Sequence, residues 1–321
     1  MKTVAIAGGQ SNVGWEVIER ILTKGTHEVR VLTRNDSNRK RRETALVTWV
    51  AVDYDDEEAI ALALKGVDTV LSFITNIDPG AWARSHINLI NACLTSGVKR
   101  FAPSEWACRE DGAPAHYDSK TPVRRYLEEI NHPVKKLEYC LFQPGFFANY
   151  FAPPGRVSTK HFHMQDMCID FENRRAWQIA DGKYSVTLTT VEDLAEVVAR
   201  ALDFVGPWPE VGGVRGSQVT VASLLSLGED LRGKFQIDRL SYDAAKKGTA
   251  ETTWYPLLEH PSIPSDIPAD TLIALSKKVH MAYAVSFAEG AWSVSDEWNQ
   301  LLPEYHFTSA EQYLRRAWSE A

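Results

Sequence analysis

A chain of 321 residues, 44% of them apolar, can bury one large or two modest hydrophobic cores, and its composition carries no mark of disorder. A net charge of −7 and an isoelectric point near 5.8 exclude a general electrostatic affinity for nucleic acid or anionic lipid and favour a small-molecule partner. The four cysteines, Cys93, Cys108, Cys140 and Cys168, stand singly without CxxC spacing, as expected in a reducing compartment rather than in a disulfide scaffold.

From Lys2 to Gln143 short apolar runs alternate with helical patterns, the signature of a parallel sheet covered on both faces. The runs are TVAIAG, EVRVLTR, VTWVAVD, DTVLSFI, KRFAPSE and LEYCLFQ. Val17, Ile18, Ile21 and Leu22 form one apolar helical stripe, and Ala83, Ile87, Ile90 and Leu94 another. Gly25, Gly66 and Gly97 are expected to end helices. Met1 leads directly into the first strand and its glycines, with no long apolar leader and no apolar span of about 18 residues, so a cytoplasmic location is expected.

After Pro144 the pattern changes to PGFFANYFAPPG and then to a poorly periodic stretch reaching Asp181, read as a pocket-forming insertion. A strand, YSVTLTT, then precedes a helix capped by Thr190 with Asp193 three residues on; Leu194, Val197, Val198, Ala201 and Leu202 form its apolar stripe. These elements are expected to return the chain to the sheet near residues 184–216. The last helix is expected to open with a capping box, Thr308 and Glu311.

Gly8-Gly9-Gln10-Ser11-Asn12-Val13-Gly14 follows the first strand and opens an amphipathic helix, the setting in which a glycine motif points to a dinucleotide. Gly8 suits the tight turn, Gly14 suits close helix packing, and backbone N–H groups at the helix start attract a pyrophosphate. Ser11 stands where the motif usually has its middle glycine, and its hydroxyl can donate to phosphate. The second strand ends at Arg34-Asn35, where an NAD enzyme is expected to carry an acid for the ribose hydroxyls. An arginine there pairs with a 2′-phosphate instead, so NADP(H) is the expected cofactor, with Arg39 and Lys40 adding positive field. Asp53, after the third strand, is either an acceptor for the adenine amino group or a turn acid.

Taken together, GGQSNVG, VLTRN, VDYDDEEAIALALKGVDTVLSF, GVKRFAPSEWA and LFQPGFF resemble the NmrA-like and isoflavone-reductase-like branch of the atypical short-chain dehydrogenases, in its fungal form. The resemblance is strongest from Met1 to Phe147 and fades beyond Gly233. It implies an α/β fold, a Rossmann-type doubly wound parallel sheet over residues 1–150, with a smaller mixed substrate domain over 151–321 and bound NADP(H). Phe73, Pro103, Lys120, Pro144 and Phe146 complete the expected cofactor contacts. In that family a lysine a dozen or more residues after the PSE-type motif serves as proton donor or orienter beside the nicotinamide ribose, and Lys120 in DSKTPVRRYLEEI matches it. Typical short-chain dehydrogenases place a tyrosine four residues before such a lysine; here that position is His116, and Tyr117 lies one residue out of register.

Glu105, beside Trp106 at the end of the fifth strand, is a second candidate acid or base, since a carboxyl desolvated next to an indole titrates nearer neutrality. Trp106, Phe147 and Tyr150 are the expected walls of an aromatic substrate cleft. Three readings follow. In the first, NADPH reduces a C=C, C=O or C=N bond of a small aromatic or heterocyclic secondary metabolite, with Lys120 or Glu105 supplying the proton. In the second, the nucleotide is a scaffold for a non-redox, Pictet–Spengler-type cyclisation of an indole substrate. In the third, the chain is a nucleotide-sensing regulator. A monomer or homodimer is expected, and His161 and His163, with no third ligand at suitable spacing, make no metal site.

Overall fold

The computed structural model describes residues 1–9, 11–34, 44–155, 160–259, 263–264 and 266–319. Asn35 and the basic run 39–42, including Arg39 and Lys40, lie outside the described residues.

Two compact units emerge. The first is built from Met1–Trp106, Ser119–Phe142 and Leu194–Gly212. Its elements are β1 (Lys2–Ala7), α1 (Asn12–Lys24), β2 (His27–Thr33), β3 (Val47–Ala51), α2 (Glu57–Ala63), β4 (Thr69–Ser72), α3 (Pro79–Ser96), β5 (Arg100–Ala102), α4 (Thr121–Ile130) and β6 (Glu138–Tyr139). The strands form one parallel sheet in the order β3-β2-β1-β4-β5-β6. This is the Rossmann-type doubly wound arrangement, whose strand order reverses between β1 and β4. Val4, Ala5, Ile6 and Ala7 are all buried, as a strand covered on both faces requires.

Val17, Ile18 and Ile21 of α1 point inward as the periodicity indicates. In α3 the buried face is Trp82, His86, Leu89, Ile90 and Cys93, displaced by about a residue from the stripe the apolar pattern marks. The pattern misses it because a histidine sits at the centre of the buried face. Gly25 and Gly97 end their helices in the left-handed conformation, at φ 67° and 73°, where a side chain is strained.

The second unit comprises Ala107–Asp118, Gln143–Asp193 and Gly213–Ala321. The chain leaves and re-enters each unit more than once. After the short pair β7 (Leu141–Gln143) and, further on, β12 (Val211–Gly213), two three-stranded sheets stand apart from the parallel one. One has β11 (Ser185–Thr189) between β8 (Phe146–Phe147), parallel, and β13 (Ser217–Thr220), antiparallel. The other has β10 (Arg175–Ile179) between β9 (Ile169–Asp170) and β14 (Gln236–Leu240). The strand expected to rejoin the first sheet thus has both edges paired elsewhere. What belongs with the first unit is residues 194–212, including most of α5 (Val191–Asp203).

The hydroxyl of Thr190 accepts from the Asp193 N–H at 3.1 Å, so this cap forms as expected. The capping box expected at Thr308 does not form. Ser309 accepts from Gln312 N–H at the start of the final helix, and the Thr308 N–H donates to the buried Asp193 carboxylate at 3.0 Å. Among the described residues no helix is long and apolar enough to cross a membrane.

Candidate nucleotide and proton-transfer site

The carboxyl ends of β1 and β4, on either side of the reversal, bring the glycine turn and Phe73 together. Gly8 adopts φ 67°, and a Cβ there would lie 2.7 Å from the backbone of Phe73 and Ile74. Only glycine fits. A Cβ on Gly9 would press on Ile6 and Ile18 at 2.9 and 3.1 Å, and one on Gly14 would lie 3.2 Å from the Phe73 ring. Ser11 caps α1, its hydroxyl oxygen accepting from Gly14 N–H at 3.0 Å, which leaves the hydroxyl proton to donate. Asn12 and Val13 open the helix, where the first N–H groups have no partner along the helix. A short turn and a capped helix start with free N–H groups present the donors a pyrophosphate needs, so these residues fit a dinucleotide.

Arg34 lies exposed just past β2. Asp53 is also exposed, and its Oδ1 accepts from Asp55 N–H at 3.0 Å, a turn of its own making. Tyr54, which the pattern does not single out, ties these strand ends together. Its phenol donates to Leu32 C=O at 3.1 Å and accepts from Gly8 N–H at 3.2 Å, and burial raises its pKa, keeping it protonated.

The turn after β5 holds the second constellation. Pro103 is buried, and its carbonyl accepts from Glu105 N–H at 2.8 Å. The Glu105 side chain is 0% exposed and takes a two-pronged bond from Arg124, Nε to Oε1 at 2.9 Å and Nη2 to Oε2 at 2.6 Å. A carboxylate so enclosed and paired presents no open face. Lys120 lies beside it. Its ammonium donates to the Glu105 carbonyl at 2.6 Å, lies 3.8 Å from Glu105 Oε2, and keeps 10% of its side chain exposed. Lys120 sits at the N-cap of α4, so the α-helix starts after it and Arg124 follows one turn on, aimed at the same carboxylate.

Trp106 is a structural residue rather than an open cleft wall. Its ring is stacked between Phe73 (4.4 Å, 8°) and Phe142 (5.3 Å, 16°), and its indole N–H donates to Ser72 C=O at 2.7 Å. These contacts hold a backbone at φ 33°, unfavourable for a tryptophan. Phe73, 2% exposed, is likewise a wall behind the glycine turn.

In the second unit, Tyr117 lies in the 3-10 turn Ala115–Lys120 rather than on the following α-helix. Its phenol meets that of Tyr283 at 3.4 Å, and burial together with Tyr283 holds its pKa well above the ordinary tyrosine value. Tyr117 therefore stays protonated and is no ready base. Pro144 is buried, and Phe146, expected at the nucleotide, has its ring packed by Tyr150, Phe151, Phe287 and Trp292. Phe147 and Tyr150 do come together, both against Phe162, at 5.4 and 5.0 Å. Among the described residues no group of three or more His, Cys, Asp or Glu converges as metal ligands would.

The sequence profile of the NmrA-like family matches residues 1–221. The chain belongs to the NmrA-like family. This NmrA-like chain is 25% identical to the oxidoreductase swnN of Metarhizium robertsii over 99% of its own length and 98% of that protein's. It is 23% identical to a bifunctional pinoresinol-lariciresinol reductase of Linum album over 98% and 93%. Among solved structures it shares its fold with an NADPH-dependent quinone oxidoreductase of Escherichia coli complexed with NADPH, at TM-score 0.66, 20% identity and coverage of 98% and 99%.

Proposed function

We propose that this chain is an NADPH-dependent reductase of a small aromatic or heterocyclic secondary metabolite, reducing a C=C, C=O or C=N bond, with Lys120 as the catalytic proton carrier. The observation that carries the reading is the Lys120 ammonium fixed at 2.6 Å on the Glu105 carbonyl, at the carboxyl end of the parallel sheet where such folds take their ligands. Relatives along nearly the whole chain, named as an oxidoreductase and a reductase, support the same chemistry.

When bound, NADPH supplies the hydride. The rest is the work of this chain's residues. Gly8, Gly9 and the N–H groups of Asn12 and Val13 receive the pyrophosphate, with Ser11 donating its hydroxyl proton. Arg34 pairs with the 2′-phosphate, and Asp53 accepts from the adenine amino group. Lys120 Nζ holds the proton the acceptor takes as it is reduced, and Glu105 and Arg124 position Lys120 without touching substrate. In the second unit, Phe147, Tyr150 and Phe162 form an aromatic cluster of the kind on which planar rings stack.

The test is to incubate the protein with ring-containing acceptors and NADPH while following the nicotinamide absorbance. One NADPH oxidised per product formed is the expected result. Product without NADPH oxidation overturns the reductase reading in favour of cyclisation, and tight nucleotide binding with no turnover overturns it in favour of a regulator. For the nucleotide, Arg34→Ser is expected to weaken NADPH binding by about 10–100-fold, the worth of one charge-assisted phosphate contact. NADH binding should be unmoved, as isothermal titration with the two nucleotides will show.

A further inference from the structure

His86 of α3 is fully buried, and nothing above gives it a function. Its ring is held at both nitrogens. Nδ1 lies 2.9 Å from the Trp82 carbonyl oxygen, an atom that can only accept, so Nδ1 carries the hydrogen. Nε2 lies 3.3 Å from Ser104 N–H, a group that can only donate, so Nε2 presents its lone pair. The two contacts independently require the same neutral tautomer. The Ser72 hydroxyl, 2.9 Å from Nε2, donates to that lone pair as well, and the Trp82 ring stacks on the imidazole at 3.9 Å.

Ser72 ends β4, and Ser104 follows β5. The Ser72 carbonyl holds the Trp106 indole, while the residue after Ser104 carries the carbonyl that holds Lys120. We propose that neutral His86 is a positioning residue for the proposed reduction: through its Nε2 lone pair it fixes Ser72 and Ser104, and through them the 103–106 turn on which Lys120 rests. This deepens the reading of Lys120 as proton carrier and rests on it.

The surroundings keep the ring neutral. β4 contributes Ser72, the turn after β5 contributes Ser104, α3 contributes the Trp82 carbonyl and ring, and the start of α4 contributes the positive Lys120. Burial first, and the Lys120 charge in addition, lower the pKa of His86 to about 4, against the Trp82 carbonyl, which raises it. A proton on Nε2 turns the acceptor into a donor facing the Ser104 N–H, and the turn loses its anchor.

His86→Gln keeps an acceptor near the place of Nε2 and cannot titrate, whereas His86→Leu leaves Ser104 N–H and the Ser72 hydroxyl without it. With NADPH and an acceptor turned over by the wild type, His86→Leu is expected to lower kcat by about tenfold or more with KM for NADPH little changed, and His86→Gln to restore kcat. In a Lys120→Met background, His86→Leu should cost almost nothing further, because its effect runs through Lys120. Additive losses overturn the proposal while leaving Lys120 catalytic, whereas a harmless Lys120→Met overturns the reading beneath it. Should His86→Leu fail to fold, two measurements decide. The acid fall in initial-rate kcat as pH drops towards 4 should be present in the wild type and absent in His86→Gln, and ¹⁵N resonances should show His86 in the Nδ1–H form, untitrated from pH 7 to 5. Superimposable pH profiles, or a His86 that titrates near 6.5, overturn it.

Discussion

Lys120→Met is expected to lower kcat by about 10²–10³-fold near neutral pH, the range a positioned proton donor contributes, with the fold intact and NADPH binding little changed. The fold survives because Glu105, the buried anion beside Lys120, keeps both of its bonds from Arg124. The thioether follows the lysine's apolar stem, so packing at the start of α4 is retained while the proton and the charge are lost. Lys120→Arg separates these two losses. A guanidinium keeps the charge but does not give up its proton in a protein, so kcat should stay low if Lys120 transfers a proton. Recovery of kcat in Lys120→Arg assigns the residue to electrostatic orientation instead. Tyr117→Phe is the control, since that phenol is turned to Tyr283, and its kcat should remain within a few-fold of wild type.

The features legible in the sequence are those written in local periodicity. The apolar runs mark the strands of the parallel sheet, and the glycine turn announces the reversal between β1 and β4. Residues whose meaning depends on a distant partner were not legible. Glu105 beside Trp106 reads as a desolvated acid until Arg124, nineteen residues away, is seen to close on it. Trp106 reads as the wall of a substrate cleft until Phe73 and Phe142 are seen to enclose its ring. Tyr54 carries a weak signal, following Asp53 at the end of a strand, yet nothing local shows that its phenol reaches Gly8. His86 hides because a histidine among apolar residues lowers the apparent amphipathicity of the face it occupies. The β11 strand is a different case: its residues fit a sheet strand, but periodicity does not say which sheet, and pairing with Phe146 and Val219 decides.

Arg124→Met is expected to destabilise the protein by about 3–5 kcal/mol, because it strands the Glu105 carboxylate in a place where water does not reach. The side chains of Glu105 and Arg124 are 0% and 7% exposed, so solvent cannot take over the lost bonds. Lys120, 3.8 Å from Oε2 and already donating to the Glu105 carbonyl, cannot reproduce a planar two-pronged contact. The double variant Arg124→Met with Glu105→Leu removes both charges and should recover most of the loss, since a buried ion pair is often no more stable than apolar residues of similar volume. Urea unfolding of the two single variants and the double closes the cycle and isolates the pair energy. A loss under about 1 kcal/mol in Arg124→Met would show that Glu105 is solvated or partnered elsewhere. The double variant also separates stability from chemistry. It should fold, yet hold Lys120 without the Glu105 carboxylate, so a fall in kcat without a fall in stability would identify the carboxylate as what keeps the ammonium in place.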